Sequence, residues 1–241
     1  MKDAAQRLGV WALVLIALVA VAVLAACAPE VRPLAPAEGG APAGFPEREY
    51  RQAAAEGRTV YRVDPARSLV AIEVRRAGSL ARLGHDHVVA SHDVGGYVLS
   101  DAGRADLYVR LDRLVVDEPR LRAEAGFETK PSADAIAGTR RNMLERVLEA
   151  ERYPFALVSV KGVRGEGVSR AATVAITLHG ATRTMDVPLE VESGAASIEV
   201  SGELTFAQSD FGIVPLSILG GAIQVQDALR LRFRIEAGSG A

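Results

Sequence analysis

The chain predicts a mainly β domain: antiparallel strands with one packed helix. Three observations carry this expectation. From residue 58 onward apolar and polar residues alternate with a period of two, which gives a strand one dry and one wet face. Turn signals such as Asp64-Pro65, Asp101-Ala102-Gly103 and Ser193-Gly194 separate the alternating runs. One segment, about residues 139–150, has helical spacing instead. About eight strands in roughly 180 residues suit either a sandwich or a closed up-and-down barrel.

In chain order, the first element is an apolar run. Val10–Ala26 is continuously apolar and follows a short head with Lys2, Asp3 and Arg7, the pattern of a secretory signal. Its end, Leu24-Ala25-Ala26-Cys27, resembles the bacterial lipobox, which implies lipid on the Cys27 sulfur and a new N-terminus there. Two or more acyl chains suffice for stable anchoring. Ala28, rather than Asp, follows the cysteine, which points to the periplasmic face of the outer membrane. Pro29, Pro33, Pro36, Pro42 and Pro46, with Gly39, Gly40 and Gly44, exclude a regular helix or strand and read as a tether. Glu47–Glu56 suits a short helix ended by Gly57. The expected organisation is a signal peptide at 1–26, a Pro/Gly-rich tether with this short helix at 27–57, a barrel domain at 58–237 and a tail at 238–241.

Composition narrows the function classes. The 241 residues hold 28 basic and 30 acidic side chains, so no electrostatic attraction to nucleic acid is expected. One cysteine makes neither an internal disulfide nor a thiolate zinc site. The overall 49% hydrophobic content is concentrated in the leader, and what remains is ordinary for a soluble domain.

The strands follow. Val70, Ile72 and Val74 form the first clear apolar set. Ala105, Leu107, Val109 and Leu111 alternate with Arg104, Asp106, Tyr108 and Arg110. Similar sets are Val174-Ile176-Leu178, Val187-Leu189-Val191, Ile198-Val200-Gly202-Leu204-Phe206 and Leu229-Leu231-Phe233-Ile235, with weaker strands near Tyr61, Gly95–Leu99 and Phe155–Val160. The helix places Met143, Leu144, Val147 and Leu148 on one face and stops before Tyr153-Pro154. Ile72, Leu107, Val109, Ile176, Leu204 and Phe233 are nominated as inward-facing, either as core packing or as the wall of a ligand pocket, since a barrel of about eight strands is filled or holds one small ligand.

Several short stretches together resemble the YceI-like, polyisoprenoid-binding family. They are Tyr61-Arg62-Val63-Asp64 with Ser68, Asn142-Met143-Leu144 through Val147-Leu148 to Tyr153-Pro154 and Ser159, Thr177-Leu178-His179-Gly180 with Thr182-Arg183, Ser209-Asp210-Phe211-Gly212-Ile213, and Val225-Gln226-Asp227. The resemblance implies a lipocalin-like antiparallel β-barrel of about eight strands with a helix on it. It implies an apolar pocket for an isoprenoid, quinone-like or fatty lipid, flanked by Phe211 and Ile213, and barrels that pair as homodimers. Two places depart from the family pattern: Gln208 stands where Arg is common, and residues 83–97 replace its usual His-Leu-Gly element.

His85, His87 and His92, with Asp86 and Asp93, fall close together in that divergent stretch. On a strand His85 and His87 share a face while His92 takes the other, and only a turn at Ala90-Ser91 unites all three. Hydrogen bonding at the barrel rim is one reading, contact with a ligand headgroup another, and a weak zinc or copper site a third. His179 reads as part of a turn. Glu124, Glu128, Lys130, Asp134, Arg120 and Arg122 read as solvated. The chain has no Gly-x-Ser-x-Gly elbow, phosphate-binding loop, dinucleotide fingerprint or His-Glu-x-x-His. The leading expectation is therefore a non-enzymatic envelope lipoprotein that carries or sequesters a lipid without cofactor or metal. The alternatives are a metal-binding protein or metal-dependent enzyme using His85, His87 and His92, and a structural lipoprotein with a filled barrel.

Overall fold

A computed structural model describes residues 40–239. The expected signal segment 1–26, Cys27 and residues 28–39 lie outside the described residues, as do 240 and 241.

Helix α1 (Glu47–Ala55) forms as the sequence leads one to expect, and Gly57 ends it at φ +84°. Its first turn carries Glu47 and Glu49, which suit the positive end of the helix dipole. Tyr50 and Ala53 are buried with Leu99, and Val60 and Tyr97 pack against them. Phe45 meets Tyr108 edge-on with ring centroids 5.0 Å apart. From Phe45 the chain is thus docked on the outer wall of the barrel.

Fourteen strands follow: β1 (Val60–Val63), β2 (Leu69–Val74), β3 (Arg76–Ala77), β4 (His87–Ser91), β5 (Val94–Leu99), β6 (Arg104–Arg110), β7 (Val115–Val116), β8 (Phe155–Arg164), β9 (Ser169–Leu178), β10 (Ala181–Ser193), β11 (Ser197–Ala207), β12 (Ser217–Ile218), β13 (Ile223–Val225) and β14 (Ala228–Ser239). All pairings are antiparallel, and β1-β5-β6-β8-β9-β10-β11-β14 closes into a ring because β14 pairs back onto β1. The first three staves are each broken once: β2, β4 and β7 extend β1, β5 and β6 and pair in the same order. The sheet is therefore the expected eight-stave lipocalin-like barrel. Closure of β14 onto β1 leaves the eight-strand ring itself without an edge strand.

The breaks have local causes. Asp64 accepts a hydrogen bond from the Ala66 N–H at 3.0 Å and Pro65 opens a single 3₁₀ turn, which separates β1 from β2. The Asp93 N–H donates to Ser91 Oγ between β4 and β5. The β9–β10 hairpin turns on His179 (φ +51°) and Gly180 (φ +77°), a two-residue loop with both residues left-handed. His179 is a turn residue, as expected, and its ring packs on Tyr153 with centroids 4.7 Å apart.

Two helices complete the domain. Helix α2 (Pro119–Glu124) covers the outer face of β2 and β4, where Leu121 is buried with Ala71, Val88 and Ala90. Helix α3 (Ala133–Asn142) continues through a π-turn at Met143–Val147. It begins six residues before the expected Thr139 because Ser132 caps it, accepting from the Ala135 N–H at 3.2 Å. It ends three residues early, just before Glu149 at φ +45°. A small second sheet of β3, β12 and β13 sits at the end of the barrel from which β2 and β14 open.

Candidate functional site

Along each long stave alternate side chains point inward, but they do not fill the barrel. They leave a cavity of about 520 Å³ with a predominantly apolar wall. Every clear apolar set read from the alternation lines it, including Val70-Ile72-Val74 on β2 and Val174-Ile176-Leu178 on β9. The wall follows β6 from Arg104 and reaches Leu111 just beyond its end; the strand itself rises roughly 20 Å at about 3.3 Å per residue, so the cavity runs along the barrel.

All eight nominated residues lie in this wall: Ile72, Leu107, Val109, Ile176, Leu204 and Phe233 on the staves, and Phe211 and Ile213 on the turn after β11. Phe211 and Ile213 are buried, and Phe211 meets Phe206 edge-on at 5.7 Å. Gly202 makes room for this arrangement: a Cβ there would come within 2.8 Å of the Phe233 ring. The helical stripe also reaches the cavity. Met143, Val147 and Leu148 line it, while Leu144 is buried. A stripe that reads as ordinary core packing therefore roofs one end of the barrel.

That end carries a polar group of residues. His85, His87, Thr139, Asn142 and Arg76 all border the cavity there. His87 Nδ1 donates to Asp117 Oδ2 at 2.6 Å, and Thr139 Oγ1 stands 3.4 Å from Nε2. Asp117 is fully buried at its side chain, with φ +61°, a conformation Asp tolerates better than most residues. Its other oxygen accepts from the Val88 N–H at 3.0 Å and from Arg122 Nη1 at 2.5 Å. Burial by itself would raise the Asp117 carboxyl, but hydrogen bonds from His87, Val88 and Arg122 outweigh it and hold the pKa below its ordinary value. An ionised Asp117 can only accept, so His87 Nδ1 carries a proton. Arg122 also reaches the Asp86 carbonyl at 2.6 Å and the Thr129 carbonyl.

The structure bears out one expectation here and corrects another. The three histidines do not converge. β4 runs straight through Ala90 and Ser91, so His87 faces the cavity while His92 turns outward to Glu118 at 3.0 Å. His85 and His87 are neighbours, with ring centroids 6.2 Å apart, but among the described residues no three His, Cys, Asp or Glu side chains are grouped to hold a metal ion. Arg122 is not solvated. It is 7% exposed and locked to Asp117, whereas Arg120 is exposed and pairs with Glu124. The sequence signal for this was slight: Arg122 lies three positions after Pro119 on a one-and-a-half-turn helix, next to the buried Leu121. Asp117 and Thr139 had no signal as cavity residues, because the contacts that define them span 30 and 52 positions. Gln208, where the family pattern favours Arg, is buried and donates to the Gln226 carbonyl at 2.9 Å.

A family model described as the YceI-like domain matches residues 61–237. Among solved structures, the chain is similar to a polyisoprenoid binding domain from Saccharophagus degradans implicated in plant cell wall breakdown. The identity is 16% and the TM-score 0.54, over 76% of this chain and 99% of that one. It is also similar to BcnA of Burkholderia cenocepacia, at 16% identity and a TM-score of 0.51, over 73% and 99%. At these identities the likeness is one of fold. No curated protein sequence matches the chain.

Proposed function

This chain belongs to the YceI-like family, and on that premise we propose that its barrel binds a long-chain isoprenoid, quinone-like or fatty lipid and carries or sequesters it without catalysing a reaction. The observation that carries this reading is the apolar cavity of about 520 Å³ inside the closed sheet. An apolar cavity of about 150 Å³ accepts benzene, so each carbon needs roughly 25 Å³. The barrel then accommodates on the order of twenty carbons, or about four isoprene units. Each buried CH₂ contributes about 0.8 kcal/mol, and the ordering of a flexible chain offsets much of the sum. The naming of the Saccharophagus degradans domain as polyisoprenoid binding supports the same ligand class.

In this reading the protein is a lipoprotein, tethered through Cys27 to the periplasmic face of the outer membrane. Support comes from the apolar run Val10–Ala26, the Leu24-Ala25-Ala26-Cys27 tetrad and the Pro/Gly-rich stretch behind it. The family resemblance supports a homodimer as the working unit.

The decisive experiment is native mass spectrometry of the purified protein, followed by lipid extraction. A bound long-chain isoprenoid or fatty lipid is expected. Protein that is consistently empty and takes up no added quinone analogue overturns the reading. Fractionation of a Cys27→Ser variant tests the anchor separately: the protein is expected to leave the membrane fraction.

A further inference from the structure

The cavity lining is predominantly apolar, and one group of its polar side chains is gathered at the α3 end, where β4 meets α3. His87 is aimed from behind: Asp117 takes its Nδ1 proton, and Arg122 and the Val88 N–H fix Asp117 in turn. That leaves Nε2 free to face the cavity, and among the described residues its hydrogen-bond partner is Thr139 Oγ1 at 3.4 Å, the outer limit of a hydrogen bond. Asn142 borders the cavity one helical turn beyond Thr139. His85, edge-on to His87, has its Nδ1 buried without any hydrogen-bond partner.

We propose that His85, His87, Thr139 and Asn142 form a headgroup site for a neutral, hydroxyl-bearing lipid such as a prenyl alcohol or quinol, whose hydroxyl pairs with His87 Nε2 while its chain lies in the apolar barrel. The proposal rests on the lipid-binding reading above and adds the headgroup class and its residues. Charge argues for a neutral group. The guanidinium that borders the cavity at this end is already matched: Arg76 meets Asp86, 3.6 Å away, and the Gly84 carbonyl at 2.7 Å, while behind the wall Arg122 is held by Asp117 at 2.5 Å and Arg140 by the Leu114 and Asp112 carbonyls at 3.0 and 2.5 Å. No surplus positive charge faces a phosphate here, and an anion removed from water without a counter-charge is strongly disfavoured. A hydroxyl needs one acceptor and one donor, which His87 and Thr139 supply.

The test compares three twenty-carbon probes on the purified protein by calorimetric titration or competition: geranylgeraniol, the hydrocarbon phytane and geranylgeranyl diphosphate. Geranylgeraniol is expected to bind about tenfold tighter than phytane, the worth of one good hydrogen bond, and tighter than the diphosphate. His87→Phe is expected to remove the preference for the alcohol while phytane affinity stays within about twofold. The isosteric Thr139→Val is expected to cut that preference by about threefold. Should His87→Phe lose phytane as well, Thr139→Val decides. Equal binding of alcohol and phytane in the wild type, a preference for the diphosphate, or a preference unmoved by Thr139→Val overturns the headgroup site and leaves lipid binding standing. Failure to bind any of the three overturns both.

Discussion

The Tyr50 hydroxyl on α1 donates to the Asp106 carboxylate on β6 at 2.7 Å, across 56 positions of sequence. Asp106 also accepts from Ser159 on β8 and from Arg104. One carboxylate thereby ties the helix ahead of the barrel to two neighbouring staves. Tyr97 stacks on Tyr50 with centroids 5.3 Å apart and donates to Glu47 at 2.8 Å, so the whole inner face of α1 is engaged.

Tyr50→Phe keeps the ring and removes the donor, leaving Asp106 short of a partner. A loss of about 1–2 kcal/mol in urea unfolding is expected. The Tyr50 phenol is pushed above its ordinary value, first by burial and then by the Asp106 hydrogen bond. A proton held more tightly by the folded state stabilises it fully below the unfolded pKa of about 10, and that contribution is lost as pH rises towards the folded value. The urea midpoint of the wild type is expected to fall above about pH 10, and the Phe variant to fall less steeply.

Asp117→Asn keeps the side-chain shape and a residue that tolerates positive φ, but leaves Arg122 without its buried counter-charge. Removal of one partner from such a pair is expected to cost about 3 kcal/mol at neutral pH, measured by urea unfolding. The Asp117 pKa is depressed in the folded state. Its stabilisation is therefore present above the unfolded value of about 3.9 and is lost as pH falls through the folded value. In acid titrations the wild type should lose stability below about pH 4 more steeply than the variant.

Ile176→Trp places a large ring in the middle of the cavity wall. A ligand at a hundred times its Kd stabilises the wild type by about 2.7 kcal/mol. At about 2–4 °C per kcal/mol for a domain of this size, Tm is expected to rise by roughly 5–10 °C. The Trp variant should show no such rise, with its ligand-free Tm within a few degrees of the wild type because the ring enters a void rather than packed core. An undiminished ligand shift would place the ligand elsewhere.

His92 is separated from His85 and His87, so purified protein is expected to retain no stoichiometric zinc after gel filtration. Zinc retained one-to-one, and lost in a His85→Ala, His87→Ala double variant, would falsify the arrangement described for this end of the barrel.

Much of the barrel was legible in the sequence. The alternation placed Ile72, Leu107, Val109, Ile176, Leu204 and Phe233 on the inward face, and all six line the cavity. Period-two alternation is a property of adjacent residues on an extended chain, so it survives without knowledge of any partner strand. The start of α3 was missed by six residues because Ala133–Gly138 carries no apolar stripe to mark it, and the Ser132 cap does so instead.

By itself the sequence determined which face of each stave is dry, where the staves turn, and that residues 61–237 belong to one family. Only the tertiary structure decided that the interior holds a cavity rather than a filled core, since that depends on the summed side-chain volume around a closed ring. It also decided the company each polar residue keeps. His87 meets Asp117 and Thr139, while His92, five residues on, meets Glu118 outside the barrel. Barrel closure and the docking of α3 bring those groups together across 26 to 52 positions, and no local pattern encodes a contact made at that range.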